Sequence, residues 1–380
     1  MPRWHVIGRV MAVAVGFEAT SSGAFSVAPR RRSSPRSFRL AVRPSSTTAA
    51  SLPQTTPLPK HTFAGMVEHG IRERFGDHAD RVIESWRLLD QDYEHQEFVG
   101  SGDPETSNCH QWAHSYVPGL SIQEFWDTAE FGWCQRLESK YKAIRKEFLA
   151  VTADMERLTR EGNNVWAGAL TEDASSYGEG WKTLVLMNRG RWDPVNVNLF
   201  PVTSQAIHDC HVPAAEVFFA SMKPNSAIQR HSDFTNFVLT SHLALDIPYS
   251  GQNKCRLTIG DTTREWINGQ VSMFDTSLMH DAVNEADQTR YILMMRVWHP
   301  DLTEAERNAL QFTFDCLETP ELVSEDPGQR FLAEREVQAS RSFPQIKRDV
   351  SRVVGFGGKA KGGAKKNKAK ASTGGGRGFS

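Results

Sequence analysis

The stretch of residues 216–300 contains side chains that can bind a metal ion. In His231-Ser232-Asp233, an imidazole and a carboxylate stand two positions apart, which puts them on the same side of an extended segment. His280 follows after enough chain to cross a sheet and return. Two histidines and one carboxylate on one face of an octahedron leave positions for a cosubstrate and dioxygen, as in non-haem iron(II) oxygenases. We predict that these three residues are catalytic and bind Fe²⁺; the alternative for the aspartate is a turn-capping role.

Arg290 lies ten residues beyond the second histidine, at the start of a predicted strand. A guanidinium group is planar and always charged, so it is well suited to bind a carboxylate through paired hydrogen bonds. We predict that Arg290 binds the distal carboxylate of 2-oxoglutarate as cosubstrate. The alternative is a structural ion pair, for example with Asp287.

His242 shares one face of another predicted strand with Asn236 and Thr240, because alternate residues of a strand face the same side. We predict that these three residues line the cofactor cavity and that His242 forms a hydrogen bond with the cosubstrate. The alternative for His242 is a core residue whose ring nitrogens have partners within the protein.

Short apolar runs with β character follow one another after residue 216, separated by Gly, Pro, Asn and Asp without a helix-length segment. This pattern predicts an antiparallel sandwich or barrel rather than a parallel sheet. A further strand is predicted at Thr183–Met187, followed by a turn at 188–190. The runs are Val217–Met222, Phe237–Ile247, Cys255–Ile259, Val271–Phe274 and Tyr291–Trp298.

Helical spacing predicts a support helix that packs on the outside of the sheet. Its apolar face consists of Trp133, Leu137, Tyr141, Ile144 and Phe148. Ser121 with Glu124, and Thr303 with Glu306, have the spacing of a capping box at a helix N-terminus. Residues 101–112 are predicted to be a loop.

The composition excludes several classes of protein. The five cysteines form no CxxC pair, which argues against a disulfide framework and against a structural zinc site. No apolar run reaches the roughly 18 residues of a transmembrane helix. The net charge of −1 conceals two basic ends. We expect no specific nucleic-acid partner, and the substrate to be a peptide, protein, lipid or other small molecule.

The two ends of the chain are predicted to be disordered. The first 60 residues combine a short apolar run with a basic, serine-rich segment, as in the bipartite presequences of algae with secondary plastids. We therefore predict a plastid location; the alternatives are another organelle, or the cytoplasm with a plain disordered arm. The Lys/Gly-rich end favours a solvated tail over transient contact with RNA or an anionic membrane.

These features divide the chain into five predicted regions. They are a targeting presequence with linker at 1–60, a helical N-terminal extension at 61–115, a jelly-roll domain at 116–310, a peripheral helical segment at 311–350 and a disordered tail at 351–380.

Several motifs in the middle of the chain resemble the aspartyl/asparaginyl β-hydroxylase family of iron(II)- and 2-oxoglutarate-dependent oxygenases. The resemblance covers roughly residues 116–310 and includes VPGL, LESKYKAIRKE, GWKT, HLALDIP and WHPDLT. It implies a mainly β fold with flanking helices, namely a double-stranded β-helix (a cupin-like jelly roll). It also implies Fe²⁺, 2-oxoglutarate and O₂ as reactants, with hydroxylation coupled to release of succinate and CO₂.

Carried onto this chain, the resemblance makes His231 and His280 iron ligands. It implies that Arg290 and His242 hold 2-oxoglutarate, with Met222 close by.

The chain departs from the animal members of that family at three positions. They have glycine at the position of Asp233, arginine at that of Thr240 and serine at that of Ala220. Asp233 is therefore a ligand candidate on chemical grounds alone, and the loss of the other two groups leaves more of the cosubstrate binding to Arg290.

The leading hypothesis is thus a dioxygenase that hydroxylates an unactivated C–H bond of a peptidyl Asp or Asn, or of another substrate. Two alternatives are a non-catalytic jelly roll that binds a metal or regulates a partner, and a cupin-like enzyme without 2-oxoglutarate. Arg290 argues against the latter, because such chemistry needs no carboxylate clamp.

Overall fold

The computed structural model describes residues 52–168, 176–249 and 251–346. The predicted tail lies outside these residues, as does nearly all of the predicted presequence, and both remain predictions. Contacts group Met1–Pro344 into one unit and Gln345–Ser380 into another. All helices and strands named below belong to the first unit.

Antiparallel strands make up most of the region that contains the candidate site. The strands are β1 (His95–Phe98), β2 (His110–Ser115), β3 (Phe125–Trp126), β4 (Trp181–Asn188), β5 (Arg191–Trp192), β6 (Ala214–Met222), β7 (Ser226–His231), β8 (Phe234–Thr235), β9 (Val238–Asp246), β10 (Cys255–Ile259), β11 (Thr262–Glu265), β12 (Val271–Phe274), β13 (His280–Asn284) and β14 (Arg290–Trp298).

Two of the sheets share an apolar core and form a jelly roll. The larger has the order β3-β12-β9-β14-β6-β4-β5 and the smaller the order β11-β10-β13-β7. From β6 onward the chain passes repeatedly between them, because β6, β9, β12 and β14 belong to the larger sheet and β7, β10 and β13 to the smaller. The predicted fold class, a mainly β double-stranded β-helix with flanking helices, is therefore confirmed.

Strand β9 lies between β12 and β14 and is buried on both faces except at its last residue. Leu239, Leu243 and Leu245 belong to the core on the outer side of the large sheet. Thr240 and His242 line the cavity on its inner side. The alternation predicted for these two residues is therefore the one that the strand adopts.

Helices flank the sheets. They are α1 (Phe63–Phe75), α2 (Asp80–Asp90), α3 (Gly132–Thr152), α4 (Met155–Glu161), α5 (Pro194–Leu199), α6 (Pro201–Asp209), α7 (Glu304–Glu318) and α8 (Pro327–Arg341), with short 3₁₀ helices at Gly76–Ala79, Thr128–Glu130 and Pro320–Val323. The predicted face of α3 packs against the outer core of the large sheet, which confirms its support role. Among the described residues, no helix has both the length and the apolar character needed to span a membrane.

The capping predictions had opposite outcomes. Thr303 and Glu306 form the expected reciprocal capping box at the start of α7. Ser121 and Glu124 do not cap a helix, so that prediction is wrong: the Ser121 hydroxyl donates to Asp301, and Glu124 accepts from the backbone N–H of Asp261. Long-range partners satisfy both side chains.

Two further predictions need correction. Residues 61–115 are not only helical, since β1 and β2 pair within them and β2 also pairs in parallel with β8. Part of the predicted loop 101–112 therefore belongs to β2, where alternate side chains are buried against the rest of the protein. The segment after β5 forms α5 and α6, each with a proline in its first turn.

Candidate metal and cosubstrate site

The two candidate histidines lie side by side on neighbouring strands of the small sheet. His231 ends β7 and His280 begins β13, and they are direct partners in the antiparallel register. Asp233 follows β7 and is almost completely buried. The ligand atoms of the three side chains lie within 4.8 Å of one another. The structure therefore brings together all three residues that were predicted to bind iron.

Backbone carbonyls determine which histidine nitrogens face the centre of this group. The Nδ1 atom of His231 lies 2.7 Å from the carbonyl oxygen of Gln229, and that of His280 lies 2.8 Å from the carbonyl oxygen of Leu278. A carbonyl only accepts hydrogen bonds, so each Nδ1 carries the proton and each Nε2 has a free lone pair. Such outer hydrogen bonds orient histidine ligands in metal sites.

The protonation states also suit metal binding. Burial, and then the neighbouring His231, lower the pKa of His280 to about 4, so its ring is neutral near pH 7. Burial disfavours the charged form of Asp233, but the charge of Arg296 and the adjacent histidines outweigh it and hold the pKa below its usual range. A neutral imidazole and an ionised carboxylate are the forms that bind metals.

Arg290 is a buried cation without a carboxylate partner. It is 1% exposed, and its guanidinium carbon lies 4.3 Å from the centre of the Trp266 ring. Its Nη2 lies 3.5 Å from the sulfur of Met222, whereas Nε and Nη1 have no hydrogen-bond partner. Burial lowers the pKa of this guanidinium to about 10, which leaves it charged near pH 7. No ion pair with Asp287 or another carboxylate occurs among the described residues.

His242 is prepared to donate a hydrogen bond into the same cavity. The indole N–H of Trp266 donates to Nδ1 of His242 at 3.1 Å. The proton of this neutral imidazole is therefore on Nε2, which is buried and has no partner in the protein. Burial, and then the charge of Arg290, hold the pKa of His242 well below its usual value.

Most of the predicted residues line one cavity, namely His231, Asp233, Thr240, His242, His280 and Arg290. The Thr240 side chain lines this cavity, and its hydroxyl oxygen lies 3.0 Å from the hydroxyl oxygen of Thr276. Met222 reaches it through its contact with Arg290. Most of the remaining wall is apolar and consists of Trp181, Ile228, Leu257, Phe274, Ile292 and Met294.

Asn236 is the predicted site residue that the structure does not bring to the cavity. Its amide accepts from the backbone N–H of Val117 and donates to the carbonyl of the same residue. The chain bends at Asn236 and Phe237 before β9 begins, so the alternation of the strand does not extend back to Asn236. Its position corrects the prediction: Asn236 anchors the segment before α3.

Three residues of the site were not predicted, and none of them belongs to the His231-Ser232-Asp233 motif. The Tyr177 hydroxyl donates to Oδ1 of Asp233 at 2.7 Å. Arg296 places Nη1 3.4 Å from Oδ2 of the same carboxylate. Trp266 contacts both Arg290 and His242. For Arg296 a signal existed, because it shares its strand face with Arg290; for the other two we find none in the sequence.

The donor set fits an iron(II) ion and a dicarboxylate. Two imidazole nitrogens and a carboxylate oxygen converge, and Nε2 of His231 is buried without a hydrogen-bond partner. Two N–H groups of Arg290 in the same cavity also lack partners. Buried polar groups are normally satisfied, so these atoms are available to bind a metal and an anion.

Comparison with known proteins finds similarity to one family over the part of the chain that contains the site. The sequence model described as Aspartyl/Asparaginyl beta-hydroxylase matches residues 138–300, which include all the candidate ligands. The human aspartyl/asparaginyl beta-hydroxylase is 29% identical over 202 residues, which are 51% of this chain and 25% of that protein. The ornithine lipid ester-linked acyl 2-hydroxylase of Rhizobium tropici is 27% identical over 189 residues, 48% of this chain and 64% of that protein.

The chain thus spans less than two thirds of the length of each of these relatives. Among solved structures, a 2OG-Fe(II) oxygenase family oxidoreductase from Burkholderia pseudomallei covers 38% of this chain and 77% of its own, at 13% identity and a TM-score of 0.25. That likeness is too low to carry an argument, so the fold assignment depends on the strand order described above.

Proposed function

We propose that this chain, whose residues 138–300 belong to the aspartyl/asparaginyl β-hydroxylase family, is an iron(II)- and 2-oxoglutarate-dependent hydroxylase. One observation carries the proposal. A buried His-Asp-His group and a buried arginine without a carboxylate partner face the same cavity. The first fits a metal and the second fits the far carboxylate of a dicarboxylate.

In this proposal His231, Asp233 and His280 would hold Fe²⁺. The chemistry that this ion supplies when bound is oxidative decarboxylation of 2-oxoglutarate by O₂, coupled to hydroxylation of a C–H bond. Succinate and CO₂ are the co-products. The three ligands leave positions free on the other side of the ion. The carbonyls of Gln229 and Leu278 accept from Nδ1 of the two rings, so Nε2 is the nitrogen of each histidine that is available to the metal.

Arg290 and His242 orient the cosubstrate. The guanidinium of Arg290 binds its distal carboxylate, and the Trp266 ring against the guanidinium limits where that charge can lie. His242 donates from Nε2, because Trp266 occupies its other nitrogen. The apolar walls exclude water from this end of the cavity, which strengthens both interactions.

For the substrate we propose two chemical classes rather than one compound. The human relative is named for aspartyl and asparaginyl hydroxylation, and the bacterial relative for 2-hydroxylation of the ester-linked acyl chain of ornithine lipid. Both types offer an unactivated C–H bond, so we propose a peptidyl Asp or Asn, or an acyl chain, as the group that is hydroxylated.

The test is formation of succinate from 2-oxoglutarate by the purified protein with added Fe²⁺ and O₂, in the presence of a panel of peptides and acyl lipids. We expect succinate formation that a chelator abolishes and that hydroxylated product accompanies. Metal binding without any succinate across the panel would instead support a non-catalytic metal-binding jelly roll. Comparison of a knockout with its parent strain, by proteomics and lipidomics, then searches for the substrate by the mass of one added oxygen.

A further inference from the structure

Side chains from other elements contact both oxygens of the Asp233 carboxylate, through a hydrogen bond at Oδ1 and through an ion pair without a hydrogen bond at Oδ2. The Tyr177 hydroxyl donates to Oδ1 at 2.7 Å. Arg296 on β14 places Nη1 3.4 Å from Oδ2. Both side chains are at most 6% exposed. A side-chain carboxylate can otherwise rotate, so these contacts determine which oxygen faces the two histidines.

The oxygens have different surroundings. Oδ1 lies 3.5 Å from Nε2 of His231 and 4.0 Å from Nε2 of His280. Oδ2 faces Arg296 instead. A carboxylate can bind a metal through one oxygen or through both. Rotation that brings both oxygens to the metal would require loss of the Arg296 contact.

Arg296 is itself fixed in place. It lies in the middle of the large sheet, paired in register with Glu216 on β6 and Thr240 on β9. Its Nε lies 3.9 Å from Oε2 of Glu216. Tyr177 is held by ring contacts, with centroids 4.6 Å from Trp181 and 4.7 Å from His231. Rigid supporting groups of this kind are what keep a metal ligand in one orientation.

We propose that Tyr177 and Arg296 are positioning residues that restrict Asp233 to metal binding through Oδ1 alone. The purpose is to keep the remaining coordination positions open for cosubstrate and dioxygen. This inference rests on the proposed function, since it concerns the same metal site, but it is tested by metal binding rather than by turnover.

The experiment compares Tyr177→Phe and Arg296→Lys with the unsubstituted full chain, each also in an Asp233→Gly background. Co²⁺ is the probe: its affinity is measured by anaerobic calorimetry and its visible absorption reports the ligand set. The phenylalanine variant loses one hydroxyl group only. The lysine variant keeps the positive charge but loses the planar fork, so a change in affinity does not reflect a change of charge beside the metal.

We expect Co²⁺ affinity to fall about tenfold in either variant, with a changed absorption spectrum, because outer-sphere substitutions typically weaken metal binding by 10- to 100-fold. In the Asp233→Gly background the same substitutions should cause no further loss, because they act through Asp233. Two controls should leave affinity unchanged. Tyr141→Phe removes a hydroxyl that donates to the Leu245 carbonyl, and Arg81→Lys alters an arginine paired with Glu306.

Unchanged affinity and spectra in both variants would overturn the proposal. An equal loss with and without Asp233 would also overturn it, since the residues would then act on the fold rather than on the carboxylate. The hydroxylase proposal is tested separately. If the chain shows the expected Co²⁺ effects but forms no succinate, the positioning role stands and the hydroxylase activity is refuted. A chain that binds no Co²⁺ overturns both.

Discussion

Replacement of Arg290 by methionine tests the cosubstrate site most directly. Its Nε and Nη1 groups are buried without partners and are available to a ligand carboxylate. Each hydrogen bond to a charged group contributes about 1.5–3 kcal/mol, and about 1.4 kcal/mol corresponds to a tenfold change in Kd. Loss of one such bond should therefore raise the Kd for 2-oxoglutarate about 10- to 150-fold, and loss of both should raise it further.

The same substitution should not destabilise the protein in the absence of 2-oxoglutarate. The guanidinium is buried without a carboxylate partner, which costs free energy in the unliganded state. Methionine keeps the apolar contact with Trp266 and removes that charge. We expect the free energy of unfolding to be unchanged or higher, and thermal stabilisation by 2-oxoglutarate to be lost.

The measurement is anaerobic calorimetry of 2-oxoglutarate with a redox-inert metal, together with the KM for 2-oxoglutarate in succinate formation. Arg256→Met is the control, since Arg256 pairs with the exposed side chain of Glu285 on the small sheet. Metal affinity should be unaffected in both variants. An Arg290→Met protein with normal Kd and reduced stability would show that the arginine is structural and refute the reasoning.

Three other predictions concern the ligands and the predicted presequence. Asp233→Gly should lower metal affinity at least about tenfold; unchanged affinity and activity would mean that the two histidines suffice. Because burial and His231 lower the pKa of His280 from 6.5 to about 4, the folded protein binds fewer protons than the unfolded chain between these values. Stability of the metal-free protein should therefore be lost as the pH falls from about 6.5 to about 4. Chemical denaturation across that window should show a shallower slope of unfolding free energy against pH for His280→Gln than for the unsubstituted chain. An identical slope would show that His280 is not the cause. Finally, residues 1–60 fused to a fluorescent protein should direct it to the plastid of an alga with a secondary plastid; a cytoplasmic signal would exclude the predicted presequence.

Local patterns predicted the features that depend on neighbouring residues in the chain. The helical spacing in α3 places its apolar residues against the sheet because period and burial coincide there. The alternation in β9 places Thr240 and His242 on the cavity side. The same reasoning failed at Asn236, because a bend separates it from the strand. It failed at Ser121, because a partner far away in the chain, Asp301, satisfies its hydroxyl.

The sequence by itself predicted the types of the candidate ligands and the antiparallel fold class. Only the tertiary structure decided which atoms face the centre of the site. The β7–β13 register opposes His231 and His280, and the large sheet brings Arg296 to the carboxylate of Asp233. The physical reason is distance along the chain: Tyr177 and Trp266 act through contacts between separate strands and loops, which no local periodicity encodes.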